Sequence, residues 1–303
     1  MTLLSAAETA RRLPYGALAD GIGAVLTRRA DLTAPERRAV VLANGTLLLM
    51  PAASPELTVT KLVTVSPQNA ALGLPTVQGV VVVTRGRTGE LLGVLDGATV
   101  TGRRTAALSL LAARTLAPVP GGPLLVVGAG AQARAHLEAF AEPLGVQEVW
   151  IGSRTPESAQ ALVGYARTLG LDARFAENPA EMAPGVPLIV TATTSRTPVV
   201  SGPLRPDALV CAVGAFTPEM AEVSADLVKG SRVVVDTLEG AEAEAGDLIR
   251  AAAAGWDFSQ ATALAALLDT PQLAADRPTV FKSVGHALFD LAAAHVAFGV
   301  PVS

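Results

Sequence analysis

From about Pro120 onward, apolar and polar positions change in blocks. Short, mainly apolar runs such as "PLLVVGAG", "EVWIGSR", "ARFAE", "PLIVTAT", "ALVCAVG" and "SRVVVDT" read as strands, and several end on glycine or a hydroxyl-bearing turn. Between them lie stretches of helical period, "AQARAHLEAFAEPL" and "TPESAQALVGYARTLG". Such alternation of strands with helices calls for a parallel sheet covered by helices. The second of these helices carries its own punctuation. Thr155 stands as N-cap and Pro156 takes the first helical position; Leu162, Val163, Ala166 and Leu169 form the apolar stripe, and Gly170 marks the end.

The first third follows another pattern. Two helices, the first capped by Ser5 with Glu8 three residues on, precede "TLLLMPA", "LTVTKLVTVS", "VQGVVVVT" and "LLGVLDG". These runs, with turns such as "RGRTGE" between the last two, predict a separate sheet, mostly antiparallel or mixed. A helix over "TGRRTAALSLLAARTLA" leads to "PVPGGP", a plausible joint, and the Ala-rich amphipathic helix in "VFKSVGHALFDLAAAHVAFG" is placed back on the first domain. The reading is an α/β chain: residues 1–117 with 287–303 form an α+β mixed-sheet domain, and a Rossmann domain over 118–286 is inserted into it.

Composition narrows the function classes. Half of the 303 residues are apolar and 17% are charged, which is a globular balance. Every apolar stretch is cut by Gly, Pro or charge before the roughly 18 residues that a spanning helix requires, so no membrane is expected. The N-terminal "MTLLSAAETARRLP" lacks the features of a secretory signal, and the cytoplasm is the expected compartment. The one cysteine, Cys211, lies inside a strand run and reads as a small buried hydrophobe; no zinc spacing occurs and no metal is expected. A net charge of −4 with scattered arginines offers no basic face to nucleic acid.

The chemistry enters at "LLVVGAGAQARAHLEAF". Gly128, Gly130 and Ala133 form a G-x-G-x-x-A pattern between an apolar strand and a helix. There Gly128 permits a tight turn, Gly130 admits a pyrophosphate to the backbone, and Ala133 allows close helix packing. Ala131 and Gln132 belong to the helix start whose N–H groups face phosphate. At the end of the next strand, where an NAD enzyme usually offers an acid, stand Ser153, Arg154 and Thr155, and Glu148 is too far back to replace it. A guanidinium with two hydroxyls suits a 2′-phosphate, which favours NADPH/NADP+ over NADH.

At this point the chain resembles the ornithine cyclodeaminase and mu-crystallin family. The likeness is carried by "LLLMPA", "TKLVTVSPQNAALGLPTVQG", "LDGATVTGRRTAALSLLAARTLA", "VVGAGAQARAHLEAF", "AVGAFTPEMAEV" and "VFKSVGHALFDLAAA", in the family's order. The resemblance implies a homodimer whose first domain serves substrate binding and dimerisation, with nicotinamide facing an α-imino, α-keto or α-amino acid. It implies that Arg38, Lys61 and Arg104 hold the substrate carboxylate, with Lys61 also a candidate proton donor. Residue chemistry agrees with the type, since guanidinium suits carboxylate and Lys61 needs an anion within its apolar strand. Arg37 and Arg103 stand beside Arg38 and Arg104 as alternatives. The segments "TATTS", "AVGA" and "FKSVG" match ones that line the cofactor, which brings in Thr191, Thr193, Val213, Gly214, Ser283 and Gly285; the other reading of Ser283 and Gly285 is capping of the last helix.

The family's cyclodeaminases carry an aspartate where this chain has Phe216, an alignment anchored by Gly214, Pro218 and Glu222. Phenylalanine cannot ionise, donate a proton or pair with an ammonium group, so the resemblance points away from ornithine cyclodeamination, with Phe216 lining the substrate pocket. The leading expectation is an NADPH-dependent reductase of cyclic ketimine carboxylates, of the Δ1-piperideine-2-carboxylate or Δ1-pyrroline-2-carboxylate type. The rivals are alanine-dehydrogenase-like reductive amination of a small 2-oxo acid and, from another class, an NADPH-dependent ligand-binding protein of mu-crystallin type. His136, His286 and His295 read as structural.

Overall fold

A computed structural model describes residues 2–269 and 274–302. Ser303, the last residue of the segment expected to return to the first domain, lies outside the described residues. The chain divides into two compact units, 1–108 with 286–303 and 109–285.

The first unit begins with β1 (Thr2–Leu3), α1 (Ala6–Arg12) and α2 (Tyr15–Thr27). Ser5 and Glu8 close a reciprocal capping box on α1, satisfying two backbone donors that the helix itself leaves over. Then come β2 (Arg38–Leu42), β3 (Gly45–Ala53), β4 (Leu57–Val65), β5 (Val77–Arg85), β6 (Leu91–Asp96) and α3 (Gly97–Leu116). The strands form one sheet in the order β1-β6-β5-β4-β3-β2, antiparallel except for the two-residue parallel pairing of β1 with β6. It is the mixed sheet that the Val/Thr alternation of "LTVTKLVTV" predicts: Leu57, Val59, Lys61 and Val63 are buried and the residues between them are half-buried.

The second unit runs β7 (Leu124–Val127), α4 (Ala131–Ala141), β8 (Glu148–Gly152), α5 (Pro156–Thr168), β9 (Asp172–Phe175), α6 (Pro179–Met182), β10 (Leu188–Thr191), β11 (Leu209–Ala212), α7 (Ala225–Gly230), β12 (Arg232–Val235), α8 (Leu238–Glu244), α9 (Gly246–Ala253), β13 (Thr262–Ala263) and β14 (Thr279–Lys282). Its eight strands pair in parallel, in the order β13-β12-β14-β11-β10-β7-β8-β9. The stretch β9-β8-β7-β10-β11 is the doubly wound order, with β7 and β10 flanking the point where it reverses. The units divide within α3, and Ser109, just past the division, lies 2.9 Å from His136 of α4 in the same unit. On α5, Leu162, Val163 and Ala166 are buried, whereas Leu169 lies at the exposed end. Thr155 occupies the N-cap position, but its backbone carbonyl, not its hydroxyl, takes the first N–H groups.

The last helix, α10 (Ala287–Phe298), belongs to the first unit and packs on α2, β3 and β4. It is buried nearly all round, as its Ala-rich sequence permits. Asp290, fully buried, is the one acid on it. Among the described residues no helix is long and apolar enough to cross a membrane.

Candidate active site

In the first unit, chemistry concentrates on the buried face of β4. Lys61 lies in one cross-strand row with Met50, Val81 and Leu95, all at most 2% exposed. A lone ammonium in such a row would face a desolvation cost of several kcal/mol. The anion that offsets it is Asp290: Lys61 Nζ stands 3.0 Å from its Oδ1 and 2.9 Å from its Oδ2. Arg104, on α3, brings its Nε to 3.6 Å from the same Oδ1. Burial pushes the Lys61 ammonium down to about 8; Asp290 draws it back up, and the charges of Arg104 and Arg37 lower it further.

The two arginine alternatives resolve by geometry. Arg103 turns away, donating to Leu13 O at 2.8 Å and covering the Tyr15 ring at 3.7 Å, which leaves the inward direction to Arg104. Arg38 pairs with Leu49, which opposes Leu62, so its side chain belongs to the face opposite Lys61, and it is exposed. Arg37, just before β2, is half-buried, and its charge, not that of Arg38, acts on Lys61. The geometry thus brings Lys61 and Arg104 together on Asp290 and places Arg38 on the other, exposed face of the sheet. Asp290 is the residue that motif reading misses. Its signal was present: an acid in a helix otherwise apolar nearly all round must meet a cation.

In the second unit, the parts gather at the C-terminal edge of the parallel sheet. Gly128 follows β7 with φ of +122°, and a Cβ there would lie 2.4 Å from Ala192 O, so glycine is required by both backbone and contact. Gly130 is the N-cap of α4; a Cβ there would meet nothing within 4 Å, so its surroundings leave room for a ligand to reach the backbone. Ala131 is exposed, Gln132 half-buried and Ala133 fully buried against the sheet side, and the first-turn N–H groups point out along the helix axis. These features fit a dinucleotide pyrophosphate. At the end of β8, Ser153 donates to Thr155 O at 2.7 Å, while Arg154 and Thr155 are exposed.

Three buried acids fasten the loops that follow the strands. Glu222 accepts from Thr193 N and Oγ1 at 2.6 and 2.9 Å, and from Gly214 N and Ala215 N at 2.6 and 3.1 Å. Asp236 accepts from Ser283 Oγ, Val284 N and Gly285 N, so Ser283 and Gly285 do not cap α10, whose N-cap is His286. Asp247 accepts from Glu222 N and Val223 N and pairs with Lys282 at 2.7 Å, both fully buried. Thr191 ends β10 fully buried, and Val213 donates to it at 3.0 Å. Phe216 is half-buried and packs against the apolar core of this unit.

Two of the histidines and the cysteine lie in structural settings. His136 is fully buried between Gln132 O and Ser109 Oγ, and burial pushes it down to about 4, so it is neutral. His295 joins Ser54 Oγ to Val300 O. Burial pushes the Cys211 thiol up to about 12.

The comparisons with known proteins extend over the whole of this arrangement. The chain is 40% identical over 303 residues to Δ1-pyrroline-2-carboxylate reductase 1 of Burkholderia multivorans, covering 97% of this chain and 94% of that protein. It is likewise 40% identical over 301 residues to a Δ1-pyrroline-2-carboxylate/Δ1-piperideine-2-carboxylate reductase of Azospirillum brasilense, covering 97% and 94%. Among solved structures, Thermococcus litoralis Δ1-pyrroline-2-carboxylate reductase in complex with NADH and L-proline superposes with a TM-score of 0.93 at 28% identity, covering 99% of this chain and 97% of that one. A model of the ornithine cyclodeaminase/mu-crystallin family matches residues 2–299, and with relatives of this identity along the same length the chain belongs to that family.

Proposed function

We propose that this protein is an NADPH-dependent reductase of cyclic ketimine carboxylates, of the Δ1-pyrroline-2-carboxylate or Δ1-piperideine-2-carboxylate type, giving the cyclic L-amino acid. The observation that carries the reading is the buried charge set around Asp290: one carboxylate faces Lys61 and Arg104, with the Arg37 charge acting on the same lysine. Both cations are buried, and a guanidinium and an ammonium held side by side are the groups that bind a carboxylate. The 40% identity to reductases named for these substrates supports the same substrate class.

Each unit has its part. In the first, Arg104 and Lys61 orient the substrate carboxylate, so that the adjacent imine carbon is presented in one attitude and proximity supplies much of the acceleration. Lys61, with its ammonium drawn down to about 8, exchanges its proton near neutrality and is suited to protonate the imine nitrogen, directly or through a water it holds. In the second unit, the turn at Gly128–Ala133 holds the pyrophosphate, and Thr191, Thr193, Val213, Gly214, Ser283 and Gly285 line the rest of the cofactor. The dinucleotide, when bound, supplies the hydride. Ser153, Arg154 and Thr155 set the preference for a 2′-phosphate, with NADH the weaker cofactor. Phe216 offers no acid for water or amine activation, which argues against cyclodeamination.

A homodimer is part of the proposal. Its support is the edge strand β2, which leaves Val40, Val41 and Leu42 exposed, Val41 by 85%. A cytoplasmic location is proposed as well, on a chain whose single cysteine has no partner for a disulfide. The test is NADPH and NADH oxidation against a panel of five- and six-membered cyclic imines and of small 2-oxo acids with ammonia. Turnover confined to oxo acid plus ammonia, or cofactor binding with no oxidation under any imine, would overturn the proposal.

A further inference from the structure

We propose that Glu222 is a positioning residue for the nicotinamide half of the cofactor site. Its carboxylate locks the loop after β10 to the loop after β11 before any cofactor arrives. The inference rests on the reading above, that Thr193 and Gly214 line the cofactor. In a doubly wound sheet the adenosine half lies over the first βαβ unit, here β7 to β9, and the second mononucleotide over the strands on the other side of the switch point, here β10 and β11. The two loops that Glu222 joins are therefore those on the nicotinamide side.

Burial pushes the Glu222 carboxyl above its ordinary value, while Lys282 and the backbone donors of Thr193 and Gly214 draw it back toward the ionised form. Four donors converge on it, two on each oxygen: Thr193 N and Oγ1 on Oε1, Gly214 N and Ala215 N on Oε2. Glu222 is fully buried, so no water can replace a lost acceptor cheaply. The two loops are already in backbone contact, since a Cβ on Gly214 would sit 2.1 Å from Thr193 O. That close approach puts Thr193 N and Gly214 N on one side, and a side chain with two acceptor oxygens must serve both. Glu222 is itself held at its backbone. Its N–H goes to Asp247 Oδ1, its carbonyl accepts from Val199 N and Val200 N, and Asp247 is anchored by Lys282 at the end of β14. The carboxylate thus connects two loop ends to a buried ion pair. It touches neither cofactor nor substrate in this role.

Glu222→Gln keeps the shape but turns one acceptor oxygen into a donor NH2, which must face either the Thr193 pair or the Gly214–Ala215 pair. The variant is expected to bind NADPH about tenfold to a hundredfold more weakly, while 2′,5′-ADP, which carries only the adenosine half, binds within about twofold of the parent. Unchanged NADPH affinity overturns the proposal, and so does an equal loss for NADPH and 2′,5′-ADP, which marks general damage to the fold. A second measurement does not depend on the variant folding. In the unaltered, cofactor-free protein, hydrogen exchange at the amides of Thr193, Gly214 and Ala215 should be strongly protected, and free exchange there overturns the proposal outright. If the parent protein binds neither NADPH nor NADH, the functional reading fails, whereas the exchange measurement still decides whether Glu222 holds the loops.

Discussion

Replacing Asp290 with Asn tests the charge set on β4. The substitution keeps size and one acceptor but removes a negative charge that lies 2.9 and 3.0 Å from the Lys61 ammonium. At about 3 Å and an effective dielectric of about 20, the attraction lost is of order 5 kcal/mol. If only half of it reaches the proton equilibrium, at about 1.4 kcal/mol per pH unit, the Lys61 ammonium falls by about two pH units from its value near 8. The charges of Arg104 and Arg37 act in the same direction. The assay is kcat/KM for a cyclic imine as a function of pH at saturating cofactor, with parent and variant side by side. The ionisation of the imine itself is common to both and cancels in the comparison. The alkaline limb should begin near pH 8 in the parent and about two units lower in the variant. Stability supplies a second signature with a definite sign. The folded ammonium lies below its ordinary value of 10.5, so between the folded and unfolded values the unfolded chain holds more protons and stability rises with pH. In the parent that gain lies between about 8 and 10.5; in the variant it starts lower, and Asp290→Asn should destabilise less at high pH than near neutrality. An alkaline limb that does not move, in a variant with intact near-UV circular dichroism and cofactor binding, refutes the role given to Asp290.

Three further outcomes are expected. Arg104→Met should lower kcat/KM for the imine by about a hundredfold, mainly through KM, while NADPH affinity survives; near-normal reduction would remove Arg104 from carboxylate binding. Arg154→Asp should shift the NADPH-to-NADH preference ratio by about tenfold or more toward NADH, and an unchanged ratio would refute the 2′-phosphate assignment. Phe216→Asp places a charge against the core of the second unit and should lower Tm by several degrees, at a cost of about 2 to 3 kcal/mol. A variant with unchanged Tm that loses imine turnover would instead make Phe216 a pocket wall and nothing more.

How much of this was legible in the residues depends on the range of the interaction. The capping box of Ser5 and Glu8, the glycine turn after β7 and the Val/Thr alternation of β4 are local, and local chemistry reads directly. Lys61 stood out because a cation in an apolar phase demands an anion; its partner did not, because Asp290 lies 229 residues away and its helix reads as plain packing. The choice between Arg37 and Arg38 needed the register of β2 against β3, where a shift of one residue exchanges the two faces, and alternation alone does not set register. Glu222 stands in the sequence only as an anchor of the motif around Phe216, and Asp236 only as the end of the strand run "SRVVVDT". Only folding shows that strand ends far apart in the chain deliver their N–H groups to the same carboxylate.

The single cysteine has a practical consequence for study of this protein. Cys211 is in the interior of a parallel strand, 1% exposed, with a thiol so reluctant to ionise that the reactive thiolate is scarce at neutral pH. Maleimides and iodoacetamides should pass it by in the native state. The unmodified chain can therefore serve as its own cysteine-free background: one surface cysteine added anywhere gives a uniquely labelled molecule, ready for fluorescence or spin probes, with no interior residue removed first.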